Sequence, residues 1–439
     1  MSTRRETLLA QLLGTGGGEV ASRLAQLGTV ALAGWMLGVE GLGLIGIAWS
    51  LTTIAQALIQ GGPEMAGIPL LALASGDTDR SQASAPGVIA EVTRLKLYLA
   101  LAAAPLLVLA GLVLGHGDRA AMLQLVAQIC AMIVVTLGYA WALRGLLRAV
   151  EQGVIRTLQA VTALALLWPL LMVWPSPLAV PVTEAVAALL ALGLARHRLD
   201  SLARSAEATR SGVRRLVGPA LRLGLAGLLS TFGWLVPILA AARWAPIEQV
   251  SYLTGTMRLI LGILGVIQIA LQALYPALAH IHAQYPGRGR AATLSLVLFA
   301  PAVTMIGLIP LMIGAEWLVP ALLGPEFVAA GPLFQALLPV LIPVALSSPV
   351  SYALMARGET STVLSLHVLT TTTTTIGCVL AFWIAPSAWS VLVLHPLIWG
   401  QAVVTLVAGW RCGAIGRPFG GWRVLADFGL FARLIRGDR

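Results

Sequence analysis

Arg23 and Arg258 lie inside apolar stretches that are long enough to cross a bilayer. A charge at this depth is costly, and it usually faces a bundle interior or a wet cavity. The guanidinium group matches phosphate oxygens and stays protonated, so two such groups facing one cavity would suit a pyrophosphate. A structural alternative stays open for both. Arg23 could simply neutralise Glu19, four residues earlier on the same helical face, and Arg258 could bind carbonyl groups of a kinked neighbouring helix.

Four titratable residues are candidates for carrying a coupling ion, because a buried carboxylate or imidazole can gain and lose a proton. They are Glu19, Glu64, Glu184 and His395. Each also has a structural interpretation. Glu64 follows Gly61-Gly62-Pro63 and would be solvated at a cavity mouth, Glu184 would pair with an arginine, and His395 would be a hydrogen-bonded core residue.

Uncharged polar residues extend these positions into stripes. Gln26 continues the Glu19 and Arg23 face of the first helix, and a second stripe runs along the next helix, assuming a regular α-helical period. The second stripe comprises Ser50, Thr53, Gln60 and Glu64. A shift of 208 residues places Arg258, Gln268 and Gln272 on the equivalents of 50, 60 and 64. We expect these stripes to line one substrate cavity.

The composition is that of an all-α polytopic membrane protein: 439 residues, 58% of them hydrophobic and 10% charged, with mean hydropathy +0.89. Twelve spans are predicted, at about 12–37, 41–62, 95–115, 119–143, 154–174, 177–195, 218–242, 250–276, 293–314, 328–354, 362–384 and 387–409. They divide the chain into two pseudo-symmetric six-helix lobes around a central cavity. The predicted parts are 1–195 (first lobe), 196–217 (cytoplasmic linker), 218–409 (second lobe) and 410–439 (basic amphipathic tail).

The basic residues fix the predicted orientation. Of the 28 lysines and arginines, 24 fall in alternate loops and at the two ends, which places both termini in the cytoplasm. These loops and the tail are expected to lie on anionic headgroups of the inner leaflet. The outward loops are short, the longest being predicted at 315–326, which excludes an external domain.

Catalytic signatures are absent from the sequence: it has no nucleophile elbow, no phosphate-cradling GxxxxGK[ST] motif and no His/Cys metal spacing. We therefore predict neither an enzyme nor a metal or cofactor site.

Three loops resemble those of one family, the multidrug/oligosaccharidyl-lipid/polysaccharide (MOP) exporter superfamily, and within it the Wzx-type polysaccharide flippases. The segments are Leu37-Gly38-Val39-Glu40-Gly41-Leu42-Gly43, Leu323-Gly324-Pro325-Glu326-Phe327-Val328-Ala329-Ala330 and Ala356-Arg357-Gly358. Glu248-Gln249-Val250-Ser251-Tyr252 is the second-half counterpart of the first segment. Leu42 stands where the family usually has an aromatic residue. The resemblance implies two lobes, alternating access and a lipid-linked saccharide as substrate.

The resulting hypothesis is a flippase in the bacterial inner membrane. It would move an undecaprenyl-pyrophosphate-linked oligosaccharide, an O-antigen or exopolysaccharide repeat unit, to the outer leaflet, with ion coupling. We expect a monomer that works beside polysaccharide-assembly proteins and binds no nucleic acid. The first alternative is a MATE-like organic-cation antiporter, and the second is a membrane polysaccharide polymerase or ligase.

Overall fold

A computed structural model describes residues 2–74, 85–114, 118–146, 148–204, 210–284 and 286–415, with some side chains near the segment ends left out. Every regular element in these residues is helical. The α-helices are α1 Ser2–Gln56, α2 Gly62–Ala74, α3 Ala85–Val113, α4 Arg119–Thr136, α5 Ala140–Gly145, α6 Ala149–Val173, α7 Ala179–Arg204, α8 Arg210–Trp244, α9 Ile247–Gln284, α10 Pro286–Leu323, α11 Ala330–Leu337, α12 Leu341–Ala356, α13 Thr360–Ile384 and α14 Leu394–Arg411. Short 3₁₀ turns occupy Pro325–Phe327, Leu338–Val340 and Ala388–Val393.

Eleven helical segments in the described residues are long and apolar enough to cross a membrane, which makes the chain a multi-pass membrane protein. The first segment, Gly17–Leu71, contains two of the twelve predicted spans, and each of the others matches one. Its two halves meet at Gly38, whose φ of 66° breaks the helical backbone. The predicted all-α, polytopic fold class is confirmed.

The break at Gly38 is held by a segment far along the chain. Glu326 Oε2 accepts a 3.0 Å hydrogen bond from the Val39 N–H, one of the donors that the new helix start leaves without an intrahelical partner. Close packing surrounds this contact, since a Cβ atom at Gly34 would lie 2.5 Å from the Leu323 carbonyl oxygen. Two of the loops that carried the family resemblance therefore touch each other.

Two of the predicted connecting segments are largely helical. Helix α10 continues to Leu323, so most of the outward loop predicted at 315–326 is helical. Likewise, α7 runs to Arg204 and α8 begins at Arg210, so much of the predicted 196–217 linker is helical. Of the predicted basic amphipathic tail, 410–439, the structure describes only 410–415, and the amphipathic helix predicted within the tail lies outside the described residues.

The chain packs as two compact units. Unit 1 is Met1–Arg258 with Leu322–Phe327, and unit 2 is Leu259–Ala321 with Val328–Arg439. In unit 1, α8 packs against α2, and a Cβ atom at Gly62 would lie 2.1 Å from the Ala220 carbonyl oxygen. The lobe boundaries predicted from sequence stay a prediction.

A π-helical turn, Ala57–Gly61, separates α1 from α2. Gly62 and then Pro63 follow this turn, and Pro63 has no N–H to donate to the Ile59 carbonyl four residues earlier. A π turn takes one extra residue and so rotates the following helix by roughly 100° relative to a continuous α-helix. The stripe from Ser50 to Glu64 was predicted with an uninterrupted α-helical period, and that assumption was wrong.

Candidate functional site

Glu184, a partly buried residue, is the centre of a polar network within unit 1. Its Oε1 accepts a 2.9 Å hydrogen bond from Trp49 Nε1, and its Oε2 accepts a 2.6 Å bond from Gln128 Nε2. Helices α1, α4 and α7 supply the three side chains. Both Trp49 and Gln128 are buried, so the carboxylate receives neutral donors in place of water.

Arg258, on α9, contacts the other part of the same tryptophan. Its Cζ lies 4.7 Å from the centroid of the Trp49 ring, a cation–π distance. Its charge and that of Glu184 attract each other, but no salt bridge joins them in the described structure. Trp49 therefore links a carboxylate, through its N–H, to a guanidinium, through its ring.

The guanidinium of Arg258 has nitrogen donors that no described residue accepts. Its Nε and Nη2 are buried and have no hydrogen-bond partner among the described residues. Buried donors without partners are costly, and charged donors more so. The group is thus prepared to bind an oxyanion through two N–H groups.

Two glutamines extend the network along α4. Gln124 and Gln128 are four residues apart and both are buried. Within the described part of the chain, both amide atoms of Gln124 and the Oε1 of Gln128 lack hydrogen-bond partners. Unit 1 therefore contains a polar layer with unused donors and acceptors beside the charged pair.

Arg23 belongs to a second cluster of unit 1. Its Nε and Nη2 both lie 3.3 Å from Glu19 Oε1, and Arg156 Nη1 lies 3.5 Å from Glu19 Oε2. All three side chains are partly exposed, and Gln26 is exposed. One carboxylate shared by two guanidiniums leaves a net positive charge. The ion pair between Arg23 and Glu19 was the structural alternative, whereas a shared cavity with Arg258 stays a prediction.

Glu64 is paired rather than solvated. Its Oε1 lies 2.7 Å from Lys96 Nζ, and Lys96 is only 1% exposed. The ammonium also donates a 3.1 Å bond to the Gly138 carbonyl, which the break between α4 and α5 leaves without a helical partner. Lys96 is one of the 24 basic residues counted for the cytoplasmic side; the structure buries it in α3, and the side it faces stays a prediction.

The remaining predicted site residues are spread over both units. Ser50 is fully buried and donates to the Gly46 carbonyl at 2.7 Å, a bond within its own helix. Thr53 is partly buried, and Gln60 Nε2 is buried without a partner in the described residues. In unit 2, Gln268 Oε1 accepts a 3.0 Å bond from the Tyr352 hydroxyl.

Two predicted residues remain. His395 Nε2 lies 2.8 Å from the Ala336 carbonyl and must donate to it, as a hydrogen-bonded core histidine would. The side chain of Gln272 lies outside the described structure.

Sequence reasoning missed Trp49, Gln124 and Gln128. The two glutamines carried a usable signal, since polar residues four apart inside an apolar span mark one helical face. Trp49 gave none, because a tryptophan in a span is ordinarily read as apolar packing or an interface anchor.

The profile of a family described as "Polysaccharide biosynthesis protein" matches residues 8–282, well over half of the chain. The chain belongs to this family. A comparison with the curated protein sequences finds no match. The fold is one that solved membrane transporters also have.

Solved structures of the MOP superfamily share the fold. An inward-facing multidrug resistance MATE family transporter has a TM-score of 0.73 at 15% identity, covering 90% of this chain and 98% of its own. A MOP superfamily transporter from Pyrococcus furiosus, described as having a binding pocket of reverse polarity, gives 0.65 at 15% identity, covering 95% and 96%. The lipid II flippase MurJ, in an inward closed conformation, gives 0.68 at 11% identity, covering 98% and 99%.

Proposed function

We propose that this protein flips a lipid-linked oligosaccharide, with an undecaprenyl-pyrophosphate carrier, from the inner to the outer leaflet of a bacterial cytoplasmic membrane. Membership of the polysaccharide biosynthesis family supports a saccharide pathway, and the MOP fold supports transport by alternating access. MurJ, which shares the fold, is described as a lipid II flippase. We further propose that both termini face the cytoplasm and that the basic loops bind anionic lipid.

Arg258 carries this proposal. Its buried Nε and Nη2 have no partner within the described residues, and its ring contact with Trp49 holds the guanidinium in place. A pyrophosphate oxygen would satisfy both donors through charge-assisted hydrogen bonds. Arg23 and Arg156, which share Glu19, are proposed as a second cationic contact for the same head group.

Glu184 is proposed as the coupling residue. Of the four candidates, Glu19 and Glu64 contact basic side chains and His395 is engaged by a backbone carbonyl. Glu184 instead receives only the neutral donors of Trp49 and Gln128 in the described structure, so a proton or a small cation would compensate its partly buried charge. Its attraction to Arg258 would then change with its charge state, which links the ion to the anionic substrate.

Complementation tests the transport proposal. A strain lacking its O-antigen flippase would express the wild type, Arg258→Ala or Arg258→Lys, and surface polysaccharide would be measured with membrane protein levels matched. We expect activity with the wild type, a loss of at least tenfold with Arg258→Ala and partial activity with Arg258→Lys, which keeps the charge but not the planar fork. Because Wzx substrates differ, proteoliposome flipping of a fluorescent undecaprenyl-pyrophosphate oligosaccharide would be measured in parallel.

Arg243→Ala is the matched control, because Arg243 also stacks on a tryptophan, with its Cζ 5.9 Å from the Trp244 centroid, but is exposed. Normal transport by Arg258→Ala in both assays would refute Arg258 as a substrate ligand. A wild type that flips no lipid-linked saccharide in proteoliposomes would refute the flippase proposal.

Glu184→Gln tests coupling. The amide mimics the protonated acid, so we expect transport in proteoliposomes to lose its dependence on the driving ion gradient. The control is Glu151→Gln, which alters a partly exposed pair with Arg148. An unchanged ion dependence in Glu184→Gln would leave Glu184 as a structural acceptor for Trp49 and Gln128.

The second candidate function is organic-cation export, which the partly buried carboxylate of Glu184 favours and the neighbouring charge of Arg258 opposes. Drug-resistance profiling of the complemented strain separates the two. Resistance that depends on Glu184 and is raised by Arg258→Ala would support the exporter over the flippase.

A further inference from the structure

Two arginines of unit 2 converge on one glycine. Arg290 lies near the start of α10, Arg357 directly follows α12, and Gly413 follows α14. A Cβ atom at Gly413 would be 3.5 Å from Arg290 Nη2 and 3.7 Å from Arg357 Nη2. The chain at Gly413 has a φ of 67°, which favours glycine, so both guanidiniums approach a backbone that carries no side chain.

No acidic group compensates these charges in the described part of unit 2. Neither arginine forms a salt bridge with a described carboxylate, including Glu359, the nearest in sequence. Arg357 Nε is buried and has no hydrogen-bond partner among the described residues. Two neighbouring guanidiniums repel each other, and an anion between them would remove that repulsion while accepting the unused donors.

His282 lies near enough to both arginines for their charges to act on it, and it brings no negative charge to compensate them. Its Nε2 lies 2.9 Å from the Thr293 hydroxyl, which itself donates to the Gly289 carbonyl, so His282 is the donor in that contact. The pKa of His282 is lowered to about 4, by burial first and then by the positive charges of Arg357 and Arg290. The histidine is therefore neutral at physiological pH, and the charges of both guanidiniums contribute to its lowered pKa.

We propose that Arg290 and Arg357 form a binding site for a phosphate-bearing anion, occupied in the membrane by the phosphodiester of an anionic phospholipid. Partly buried guanidinium donors match phosphate oxygens in number and geometry. Arg290 is exposed and gives access to the site, while Arg357 is partly buried and supplies the desolvated contact. This site uses neither Arg258 nor Glu184 and does not depend on the transport proposal.

Binding would be measured on the full-length protein after exhaustive delipidation in a zwitterionic detergent. One series adds phosphatidylglycerol or phosphatidylcholine in matched micelles, and a second adds inorganic phosphate without lipid. Retained lipids are counted by native mass spectrometry and the melting temperature is followed. We expect phosphatidylglycerol to bind and to raise the melting temperature, and phosphatidylcholine to do neither.

Arg290→Gln with Arg357→Gln should weaken the apparent affinity for phosphatidylglycerol roughly tenfold or more, since each charged hydrogen bond lost is worth about one order of magnitude. Arg290→Lys with Arg357→Lys keeps the charge and should show an intermediate loss. Arg144→Gln, an exposed arginine of unit 1, controls for the general effect of removing positive charge.

The possible results answer two separate questions: whether the two arginines bind an anion, and whether that anion is a phospholipid or a free phosphate. If inorganic phosphate stabilises the wild type and the double glutamine variant loses this effect, the anion site is supported. If phosphatidylglycerol stabilises the wild type no more than inorganic phosphate does, the occupant is a free phosphate. A double variant that binds lipid and phosphate as the wild type does, while remaining folded, would overturn the proposal. Equal weakening by Arg144→Gln would also overturn it, because the effect would then be one of net charge.

Discussion

The Val39 N–H and the Glu326 carboxylate are joined by a 3.0 Å hydrogen bond across 287 residues of sequence. Gly38 breaks the first long helix immediately before this bond, and its absent Cβ would lie 2.6 Å from Glu326 Oε2. The glycine and the glutamate thus depend on each other: the positive φ exposes the donor, and the carboxylate satisfies it near the positive end of the helix dipole.

Glu326→Ala should lower the free energy of unfolding by about 1–2 kcal/mol, the cost of losing a helix cap. Glu326→Gln keeps an acceptor oxygen and should cost less. Unfolding would be followed in detergent, with Glu316→Ala, an exposed glutamate on α10, as the control. Equal stability of Glu326→Ala and Glu316→Ala would contradict the capping role.

Trp49→Phe should separate the two roles of the tryptophan. Phenylalanine keeps a ring beneath Arg258 but removes the N–H that donates to Glu184. A hydrogen bond to a charged group contributes about 1.5–3 kcal/mol, so we expect Trp49→Phe to change the ion dependence of flipping while retaining substrate affinity. Trp49→Leu removes the ring as well and should weaken both.

Flipping rates at several ion gradients and substrate concentrations would check this. Trp244→Phe, beneath the exposed Arg243, is the control. The interpretation fails if Trp49→Phe and Trp49→Leu behave alike, or if the phenylalanine variant matches the wild type in every condition.

Lys96→Met should be strongly destabilising. It would leave the Glu64 carboxylate, whose side chain is 16% exposed, without its cation and the Gly138 carbonyl without its donor. Removing one partner of a buried pair costs about 3–5 kcal/mol, whereas replacing both partners by apolar groups is often nearly neutral. The double variant Lys96→Met with Glu64→Leu should therefore recover much of the loss.

Equilibrium unfolding of the single and double variants measures this coupling. Arg148→Gln, which breaks a partly exposed pair with Glu151, should cost less than about 1 kcal/mol. A loss for Lys96→Met no larger than that for Arg148→Gln would show that the buried pair does not stabilise the fold.

The spans could be predicted because each is long, apolar and bounded by turn residues, so local composition alone determines it. The threonines at 370–375 also follow from local sequence: Thr370, Thr373 and Thr375 donate to carbonyl oxygens four residues earlier in their own helix. The proline-rich tenth span is interrupted at Leu338–Val340, which Pro339 made predictable.

The partners of the charged residues could not be predicted, because they come from helices far apart in sequence. Glu184 accepts hydrogen bonds from Trp49, 135 residues away in sequence, and from Gln128, 56 residues away. Lys96 stands near a span end, where lysine ordinarily extends its ammonium to water, and only tertiary packing shows that it is buried. The π turn rotates the helix that follows it, and a prediction based on a regular α-helical period does not include that rotation.

His282 should make the protein less stable as the pH falls from about 6.5 to about 4. Its pKa is lowered from 6.5 to about 4 in the folded protein, by burial first and then by the charges of Arg357 and Arg290. Between these values the unfolded chain binds a proton that the folded chain does not, so stability is lost on acidification, by at most about 3 kcal/mol below pH 4. His282→Gln should remove this contribution, and Arg290→Gln with Arg357→Gln should reduce it.

The measurement is the free energy of unfolding of wild type minus variant across pH 4 to 7, with the exposed His197→Gln as control. A difference that stays flat across that window for His282→Gln would show that the imidazole titrates alike in both states, and that the two guanidiniums do not act on it.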